Sequence, residues 1–391
     1  MRKVLQSQTV VVGLAIFSML FGAGNLIFPI QVGLSAGTNF IPATIGFLIT
    51  SILLPLIGLI AIILFDGDYD RFFNRLGVIP GQLLILVSMI VIGPFIGIPR
   101  LVALSYTLLY PFIPSVGLFT FSIIFLLIAF LGTIRENKII DLLGYVISPL
   151  LLGSLLIILV KGLLMPGQII QATATPLHDF ITNLKFGFST LDLLGTIFLG
   201  SIVLTIMKQN VKHASRMELS RFAITGLKGG LLGSTLLAIV YVGLSLLGLL
   251  HGHGVYVVNA GELFREISFR IMDHGGAFIV ATAVLMACFS TAIALLAVVA
   301  EYVQVDVMRG KIKYIPAVLI VMLMSLFPSN WGLEQIINVT LGPVASVIYP
   351  VIIVATFCNL AYKLIGFKTI KVPVFATFVL SLGNYLYKLF M

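Results

Sequence analysis

The stretch FGAGNLIFP, residues 21–29, lies near the middle of an apolar run that covers residues 9–33. Backbone amides at bilayer depth must be hydrogen-bonded, so a glycine-rich interruption is tolerated only against protein or a polar cavity. The two glycines allow the helix to unwind, and the Asn25 side chain is able to coordinate an ion or form hydrogen bonds. The stretch therefore predicts a membrane-spanning helix that is broken near its midpoint. The alternative is an unbroken helix with a small-residue packing face and a proline kink.

The composition of the chain is that of an integral membrane protein. Of its 391 residues, 60% are hydrophobic and only 9% are charged, whereas a soluble domain usually carries about 25% charged residues. A water-soluble fold is therefore excluded, and residues 1–391 are predicted to form one all-helical transmembrane domain. The formal net charge of +9 does not indicate nucleic acid, because the basic residues are scattered between apolar segments. Cys288 and Cys358 lie in apolar runs without metal-ligand spacing, which predicts free thiols.

Eleven apolar runs are long enough to cross the roughly 30 Å of hydrocarbon in a bilayer. They cover residues 9–33, 39–64, 81–109, 116–133, 139–163, 187–207, 224–250, 275–300, 314–328, 332–357 and 371–387. With the N-terminus in the cytoplasm, this threading places most of the 23 Lys and Arg residues on the cytoplasmic side, as the positive-inside rule requires. The first run is too long for a cleaved signal peptide. The sequence thus predicts eleven spans, a cytoplasmic N-terminus and, with that count, an outer C-terminus.

Two of the predicted outer connections are long. Residues 164–186 are polar and contain prolines, which indicates a connecting segment. Residues 251–274 predict an amphipathic helix, because apolar residues recur at helical spacing opposite charged ones. The apolar face would consist of Leu263, Phe264, Ile267 and Ile271, and the polar face of Glu262, Arg265, Glu266 and Arg270. Such a helix usually lies at the membrane interface and caps the bundle, and a moving outer lid is the alternative.

The sixth run carries a second interruption, GFSTLDLLG at residues 187–195. Asp192 is the most deeply placed acidic residue of the chain, and an intramembrane carboxylate costs at least about 2.5 kcal/mol on insertion scales, which indicates function. The alternative is that residues 187–190 are interfacial and Asp192 only caps the helix start. The first and sixth spans run in opposite directions, and paired breaks in two inverted halves indicate the binding site of a secondary transporter.

The eighth and third runs also carry polar groups at depth. The eighth contains Ser290 and Thr291, whose hydroxyl oxygens suit a small hard cation such as sodium, although such hydroxyls also bond to carbonyls of their own helix. The third contains GPFIGIPR at residues 93–100, which predicts a doubly kinked helix. Its Arg100 is expected toward the outer side, where it would close a gate, neutralise a carboxylate or extend to the interface.

These motifs resemble those of the branched-chain amino acid:cation symporter family, the BrnQ-like proteins. The stretch at residues 21–29 is similar to the family's first span, and Ile92-Gly93-Pro94 with Ile98-Pro99-Arg100 resembles its third. Thr190 and Asp192 resemble its pattern in the sixth span. The similarity runs from the first span to about the tenth. Departures are Leu101 and Val102, where relatives usually have Thr and Ala, and a count of eleven spans instead of twelve.

The resemblance implies the LeuT-type fold, which consists of two inverted five-helix repeats whose first helices, spans 1 and 6, are broken at the binding site. The repeats would be residues 1–163 and 164–358, with an extra span in residues 359–391. The implied substrate site consists of Gly22, Ala23, Gly24, Asn25, Ser189, Thr190, Leu191 and Asp192. The implied cation site consists of carbonyls of Ser18, Phe21 and Ala287 and the hydroxyls of Ser290 and Thr291.

The paired breaks predict a secondary active transporter, and the resemblance implies that it lies in the bacterial cytoplasmic membrane and imports leucine, isoleucine and valine without a cofactor. The coupling ion is left open, since the hydroxyls suit sodium and a protonatable Asp192 suits a proton. A carrier of another small amino acid is an alternative. An intramembrane enzyme would need a second deep carboxylate or a metal cluster, and a channel would need charge rings or a filter motif, neither of which the sequence shows. The sequence does not indicate an oligomeric state.

Overall fold

The chain is helical throughout the part that the computed structural model describes, which is residues 2–209, 216–255, 260–272 and 276–390. No strand occurs within these ranges. The helices of the first half are α1 (Arg2–Leu20), α2 (Ala23–Ala36), α3 (Phe40–Leu48), α4 (Leu54–Leu64), α5 (Tyr69–Phe73), α6 (Val78–Ile90), α7 (Gly97–Leu109), α8 (Leu118–Thr133), α9 (Ile139–Leu142) and α10 (Ser148–Leu164). Short 3₁₀ or π turns join several of them, so that α3 continues through Ile49–Leu53 into α4.

The second half of the chain continues in the same way. Its described helices are α11 (Pro176–Phe186), α12 (Asp192–Gln209), α13 (Arg216–His251), α14 (Ala260–Met272), α15 (Ala277–Tyr302), α16 (Tyr314–Leu326), α17 (Leu333–Val339), α18 (Tyr349–Ile365) and α19 (Lys371–Phe390). A π-helical segment, Thr340–Ile348, joins α17 to α18. Cys288 and Cys358 are free and buried, as their apolar surroundings in the sequence predict.

Helices that could cross a membrane make up most of the described chain. By length and apolar composition eight helical segments qualify, and three shorter apolar helices accompany them at Gln8–Leu20, Leu118–Thr133 and Tyr314–Asn330. The segment Ala23–Leu64 has 42 residues, which at about 1.5 Å per residue is twice the hydrocarbon thickness. It therefore contains the second part of the predicted first span together with the predicted second span. The protein is a multi-pass membrane protein, and the count of eleven spans stays a prediction.

The segment before the predicted sixth span is more structured than its polar sequence suggests. We predicted a connection over residues 164–186, but residues 176–186 form α11. Its start is fixed by Pro176 in the first turn and by the Thr175 hydroxyl, which accepts a hydrogen bond from the His178 amide at 3.3 Å. Its buried polar side faces the chain near α3, where Asn39 donates to Asp179 at 2.8 Å. The irregular connection is thus limited to residues 165–175.

The amphipathic helix predicted at residues 251–274 is present but shorter, as α14: His251 belongs to α13, residues 252–255 are not helical, and residues 256–259 and 273–275 lie outside the described residues. Its four predicted apolar residues, from Leu263 to Ile271, are all buried. On its polar side, Arg265 donates to the carbonyl of Thr107 in α7 at 3.3 Å and forms an ion pair with Glu266 at 3.1 Å. These contacts hold α14 against the bundle at the end of α7. Whether it moves as a lid stays a prediction.

The first and sixth predicted spans are both broken. α1 ends at Leu20 and α2 begins at Ala23, with Gly22 in an extended conformation at φ −107° and ψ −156°. The alternative of an unbroken, kinked helix is therefore wrong. In the second break, a 3₁₀ turn at Gly187–Thr190 leads to Leu191, whose φ of +63° lies in the left-handed region. A left-handed leucine costs roughly 1–2 kcal/mol, so the surrounding contacts must hold it, as is typical of functional sites.

The third predicted span is also distorted where its sequence suggests. A π-helical segment at Val91–Phe95 separates α6 from α7, and Gly93 within it leaves the helical region at ψ −113°. Pro94 follows directly, and it removes a backbone donor from the helix. Ile96, whose φ of −130° is not helical, directly precedes α7. Because of this bend, the first turn of α7 lies toward the interior of the helix bundle. Arg100 is in that turn.

The two halves of the broken first span share one packing partner, α13. The contact is close because glycines on both sides remove side chains from it. A methyl group at Gly33 of α2 would overlap the backbone carbonyl of Ser245, and one at Gly248 would overlap the carbonyl of Ile30. On the α1 side the backbones are less close, since a methyl group at Gly233 would lie 3.0 Å from the Gly13 carbonyl oxygen. The first span therefore depends on backbone-to-backbone contact with α13.

We expect Gly33→Ala to destabilise the protein, because α2 must move away from the Ser245 carbonyl to make room for the methyl group. Overpacking of this kind typically costs about 1–3 kcal/mol, which would lower the midpoint of thermal unfolding in detergent by several degrees. Gly153→Ala in α10 is the matched control, since a methyl group there meets nothing within 4 Å. Equal unfolding midpoints for the two variants would contradict the predicted contact.

Candidate functional site

The centre of the site is the carboxylate of Asp192, which begins α12 and is only 4% exposed. Asn25, in the first turn of α2, donates from Nδ2 to both carboxylate oxygens, at 3.0 and 2.9 Å. The hydroxyl of Tyr241 in α13 donates to Oδ2 at 2.9 Å and also contacts Asn25 Nδ2. Asn25 Oδ1 in turn accepts the Gly22 amide at 3.2 Å. Hydrogen bonds thus join the two helix breaks to each other and to α13.

These contacts argue against the alternative that Asp192 only caps its own helix. Its carboxylate bonds to α2 and α13, and the amides at the start of α12 find other acceptors among the described residues. The Asp192 amide donates to the Thr190 hydroxyl at 3.4 Å, and the Leu193 amide donates to the Tyr349 hydroxyl at 3.0 Å. Gly187 and Ser189 are buried within the protein. The geometry therefore favours a site over a simple cap.

Arg100 extends from α7 to the second break and is 6% exposed. Its Nη1 donates to the carbonyl of Ser189 at 3.0 Å, and its Nη2 donates to the carbonyl of Thr190 at 3.2 Å. The centre of the Phe28 ring lies 5.9 Å from the guanidinium carbon. The expectation that Arg100 extends to the membrane interface is therefore wrong, because its charged group is buried against the broken sixth span. A role as a gate stays a prediction.

A small cavity of about 50 Å³ lies between the two breaks, α7 and α15. Seven of the predicted substrate or cation residues line it together with Arg100; they are Gly22, Ala23, Asn25, Thr190, Leu191, Asp192 and Thr291. Its apolar wall consists of Met19, Leu20, Ile92, Leu101, Leu199 and Leu295. Gly24 and Ser189 do not line it, although the Ser189 carbonyl binds Arg100. The structure thus brings most of the predicted substrate residues to one cavity.

Four of the five predicted cation residues form two pairs, Ser18 with Thr291 and Ala287 with Ser290. The Thr291 hydroxyl donates to the carbonyl of Ser18 at 3.3 Å, so α15 and the end of α1 meet there. The Ser290 hydroxyl donates to the Ala287 carbonyl of its own helix at 2.9 Å. Phe21 stacks on Phe17, with ring centroids 5.3 Å apart. Ser18 and Thr291 are therefore in contact, whereas Ser290 makes the bond within its own helix that the sequence left as an alternative.

Two tyrosines of the site, Tyr241 and Tyr349, were missed from the sequence. Both are completely buried, and one bonds the Asp192 carboxylate while the other accepts the Leu193 amide. Neither belongs to a polar motif, so no local pattern distinguishes either from a packing residue. The indirect signal is that a buried Asp192 requires donors, and a tyrosine deep in a span has a hydroxyl to supply one.

Comparison with known proteins agrees with this geometry. The model of a protein family described as "Branched-chain amino acid transport protein" matches residues 5–391. The chain belongs to this family. A putative branched-chain amino acid carrier protein of Staphylococcus aureus is 30% identical over 408 residues, which cover 98% of this chain and 89% of that protein. The branched-chain amino acid permease BraB of Bacillus subtilis is 30% identical over 375 residues, or 91% and 81% of the two chains.

Solved structures show the same fold at much lower identity. The manganese transporter of Eremococcus coleocola matches with a TM-score of 0.63 at 15% identity, over 98% of this chain and 86% of that one. A Na⁺-coupled sialic acid symporter matches with a TM-score of 0.61 at 12% identity, over 95% and 88%. A nucleobase-cation-symport-1 family transporter matches with a TM-score of 0.56 at 15% identity, over 97% and 92%. The protein therefore has a LeuT-like transporter fold, and its family excludes the enzyme alternative.

We expect Tyr241→Phe to lower the stability of the protein, because the buried Asp192 loses a donor and a hydrogen bond to a charged group contributes about 1.5–3 kcal/mol. The thermal unfolding midpoint in detergent measures the effect. Tyr106→Phe is the control, since it removes a hydroxyl that donates at 3.1 Å to the neutral carbonyl of Val116. Tyr106→Phe should have the smaller effect. A midpoint unchanged by Tyr241→Phe would show that the Asp192 contact is unimportant.

Proposed function

We propose that this transporter imports leucine, isoleucine and valine together with sodium, and that the cavity between the two helix breaks is the substrate site. The observation that carries the proposal is the composition of that cavity. It combines one buried carboxylate, one buried guanidinium and an otherwise largely apolar wall. An amino acid with a branched aliphatic side chain carries the same three elements with complementary charges. The family described above, which is named for branched-chain amino acids, supports the same substrate class.

The helix breaks supply the groups that a zwitterionic head group requires. α2 and α12 both begin at the cavity, and the first amides of a helix have no partner within the helix and carry partial positive charge. The positive potential at the start of α2 would stabilise the substrate carboxylate, while Asp192 at the start of α12 would bind the ammonium group. Both Asp192 oxygens accept hydrogen bonds from Asn25 Nδ2, which is what an ionised carboxylate does.

The apolar wall explains why several substrates would be shared. Leu20, Ile92, Leu101 and Leu295 offer no polar group that could distinguish one aliphatic side chain from another. A hydrophobic pocket separates ligands that differ by one methylene by only about 1–3 kcal/mol. Leucine, isoleucine and valine should therefore compete for uptake. The Leu101 side chain adds further apolar surface to the cavity.

The size of the cavity requires a conformational change during transport. About 50 Å³ holds a few water molecules, whereas pockets for small molecules usually measure about 300–1,000 Å³. The helices must separate to admit an amino acid, and rocking of one helix group against the other opens such sites alternately to the two sides. The extended backbone at Gly22 and the left-handed Leu191 are positions where the chain would bend.

Sodium is the coupling ion that the geometry favours. The Ser18 carbonyl and the Thr291 hydroxyl meet beside the cavity, and neutral oxygen ligands of this kind suit a hard monovalent cation. Gly22 is adjacent, since a methyl group there would lie 3.1 Å from Thr291 Oγ1. A cation at this point would bind α1 and α15 together next to the substrate. Binding of the cation would thereby stabilise the arrangement that accepts the amino acid.

Uptake of isoleucine into proteoliposomes, with sodium and proton gradients imposed independently, tests the proposal. We expect accumulation that requires the inward sodium gradient and is inhibited by excess leucine or valine. A proton gradient alone should produce no accumulation. Accumulation driven by protons alone would refute the choice of ion but not of substrate. Absence of both uptake and binding of all three amino acids would refute the proposed function.

We expect Thr291→Val to raise the sodium concentration for half-maximal isoleucine uptake about tenfold or more, because it removes a cation ligand while preserving side-chain volume. Thr282→Val is the matched control, since Thr282 lies on the same helix and its hydroxyl donates to the Phe278 carbonyl of that helix at 2.8 Å. The control should keep the wild-type sodium dependence. An unchanged sodium dependence in Thr291→Val would rule this residue out as a ligand.

A further inference from the structure

The cavity contains two buried charges of opposite sign that do not pair with each other. Arg100 and Asp192 both line it, yet neither forms an ion pair with any described residue. The Arg100 guanidinium bonds to backbone carbonyls, and the Asp192 carboxylate bonds to an amide and a hydroxyl. Buried charges are usually paired, because taking an ion out of water costs several kcal/mol. Each charge thus lacks the opposite charge that would compensate it fully.

Arg100 also has a donor without an acceptor. Its Nη1 and Nη2 bond to Ser189 and Thr190, but its buried Nε has no hydrogen-bond partner among the described residues. If Arg100 served only to cap two carbonyls, its third donor would be expected to have an acceptor as well. A buried donor without an acceptor destabilises the folded protein. The donor lies on a residue that lines the cavity. The free Nε is therefore a donor that an acceptor bound in the cavity could satisfy.

We infer that Arg100 is a substrate-binding residue, which binds the carboxylate of the transported amino acid through Nε while Asp192 binds its ammonium group. The inference rests on the proposed function and specifies the orientation of the substrate. The carboxylate faces α7 and the ammonium faces α12, so the zwitterion supplies the opposite charge that each residue lacks. Guanidinium is suited to this role because it stays charged and its Nε remains a free donor while Nη1 and Nη2 are held by carbonyls. The aliphatic side chain then points to the apolar wall.

The structure around Arg100 keeps its charged group in place. A methyl group at Gly24 would lie 3.1 Å from Arg100 Nη2, so the glycine leaves room for the guanidinium beside α2. Phe28 lies one turn further along α2 and faces the same group. Gly24 does not line the cavity, so its place in the FGAGN stretch is explained by Arg100 and not by direct contact with a ligand.

The inference predicts which parts of the substrate each residue recognises. Wild-type protein should bind leucine more tightly than leucinamide, which lacks the carboxylate, and more tightly than 4-methyl-2-oxopentanoate, which lacks the amine. Arg100→Gln should weaken leucine binding about tenfold or more, since it removes a charged hydrogen bond. It should also abolish the preference for leucine over leucinamide while keeping the preference over the oxo acid. Asp192→Asn should show the reverse pattern.

The experiment measures competition of these three compounds with isoleucine binding to the purified full chain, together with thermal unfolding without ligand. Arg75→Gln is the matched control, because Arg75 also donates to backbone carbonyls, those of Cys358, Phe367 and Lys368, but does not line the cavity. It should keep the wild-type preferences. If Arg100→Gln does not fold, Arg100→Lys supplies the result, since it keeps the charge but lacks Nε and should still bind leucine several-fold more weakly.

Three outcomes decide between the proposals. If wild-type protein binds no branched-chain amino acid, the proposed function and this inference both fail. If wild-type protein binds leucine but Arg100→Gln, or Arg100→Lys in its place, keeps the wild-type affinity for leucine, only the inference about Arg100 fails. If leucine binding weakens but the preference over leucinamide in Arg100→Gln is unchanged, Arg100 supports the fold of the site and does not contact the carboxylate.

Discussion

The structure depends on the hydrogen bonds between Asn25 and Asp192. They join the start of α2 to the start of α12, two places where the backbone leaves its helix in the interior of the protein. A broken helix is unfavourable in an apolar environment unless its free ends find partners, and a buried carboxylate is unfavourable unless it has donors. Asn25 at the first break supplies donors to the Asp192 carboxylate at the second, and that carboxylate supplies an acceptor to Asn25. Tyr241 completes the arrangement from α13, so three segments distant in sequence meet at one carboxylate.

The same constraint explains why the site is polar in a protein with so few charges. Only 9% of the residues are charged, yet Asp192 and Arg100 lie together at the centre with almost no exposure. Both are bonded to neutral groups, a combination that keeps them in place without cancelling their charges. A folded protein is often as stable, or more stable, with apolar residues at such positions. Their presence is therefore understood from a function that needs charge in the membrane interior.

The sequence predicted the breaks and the amphipathic helix because each depends on a local pattern, and the resemblance to a known family implied most of the residues that line the cavity. Glycines in the stretch at residues 21–29, a lone Asp192 in an apolar run and the periodicity of α14 are visible without a structure. Long-range partners are not visible, which is why Tyr241 and Tyr349 were missed. Arg100 was placed at the membrane interface as one alternative because the distance along the third span does not show in which direction the predicted kink turns the side chain, and the bend at Gly93 turns it inward. The polar α11 was missed because its buried side consists of Asp179 and Asn183.

The close contact of α13 with both halves of the first span has a consequence for motion. Glycines let the backbones touch at Gly33 and at Gly248, and no interlocking side chains stand between them there. Interlocked side chains resist sliding, since they must repack at each step, whereas smooth backbone surfaces permit small shear displacements. A shift of α2 along α13, with the extended residue Gly22 absorbing the change in angle relative to α1, would first have to break the contacts of Asn25 with Asp192 and Tyr241. Opening of the cavity would then combine this shift of α2 with bending at Gly22 and at Leu191.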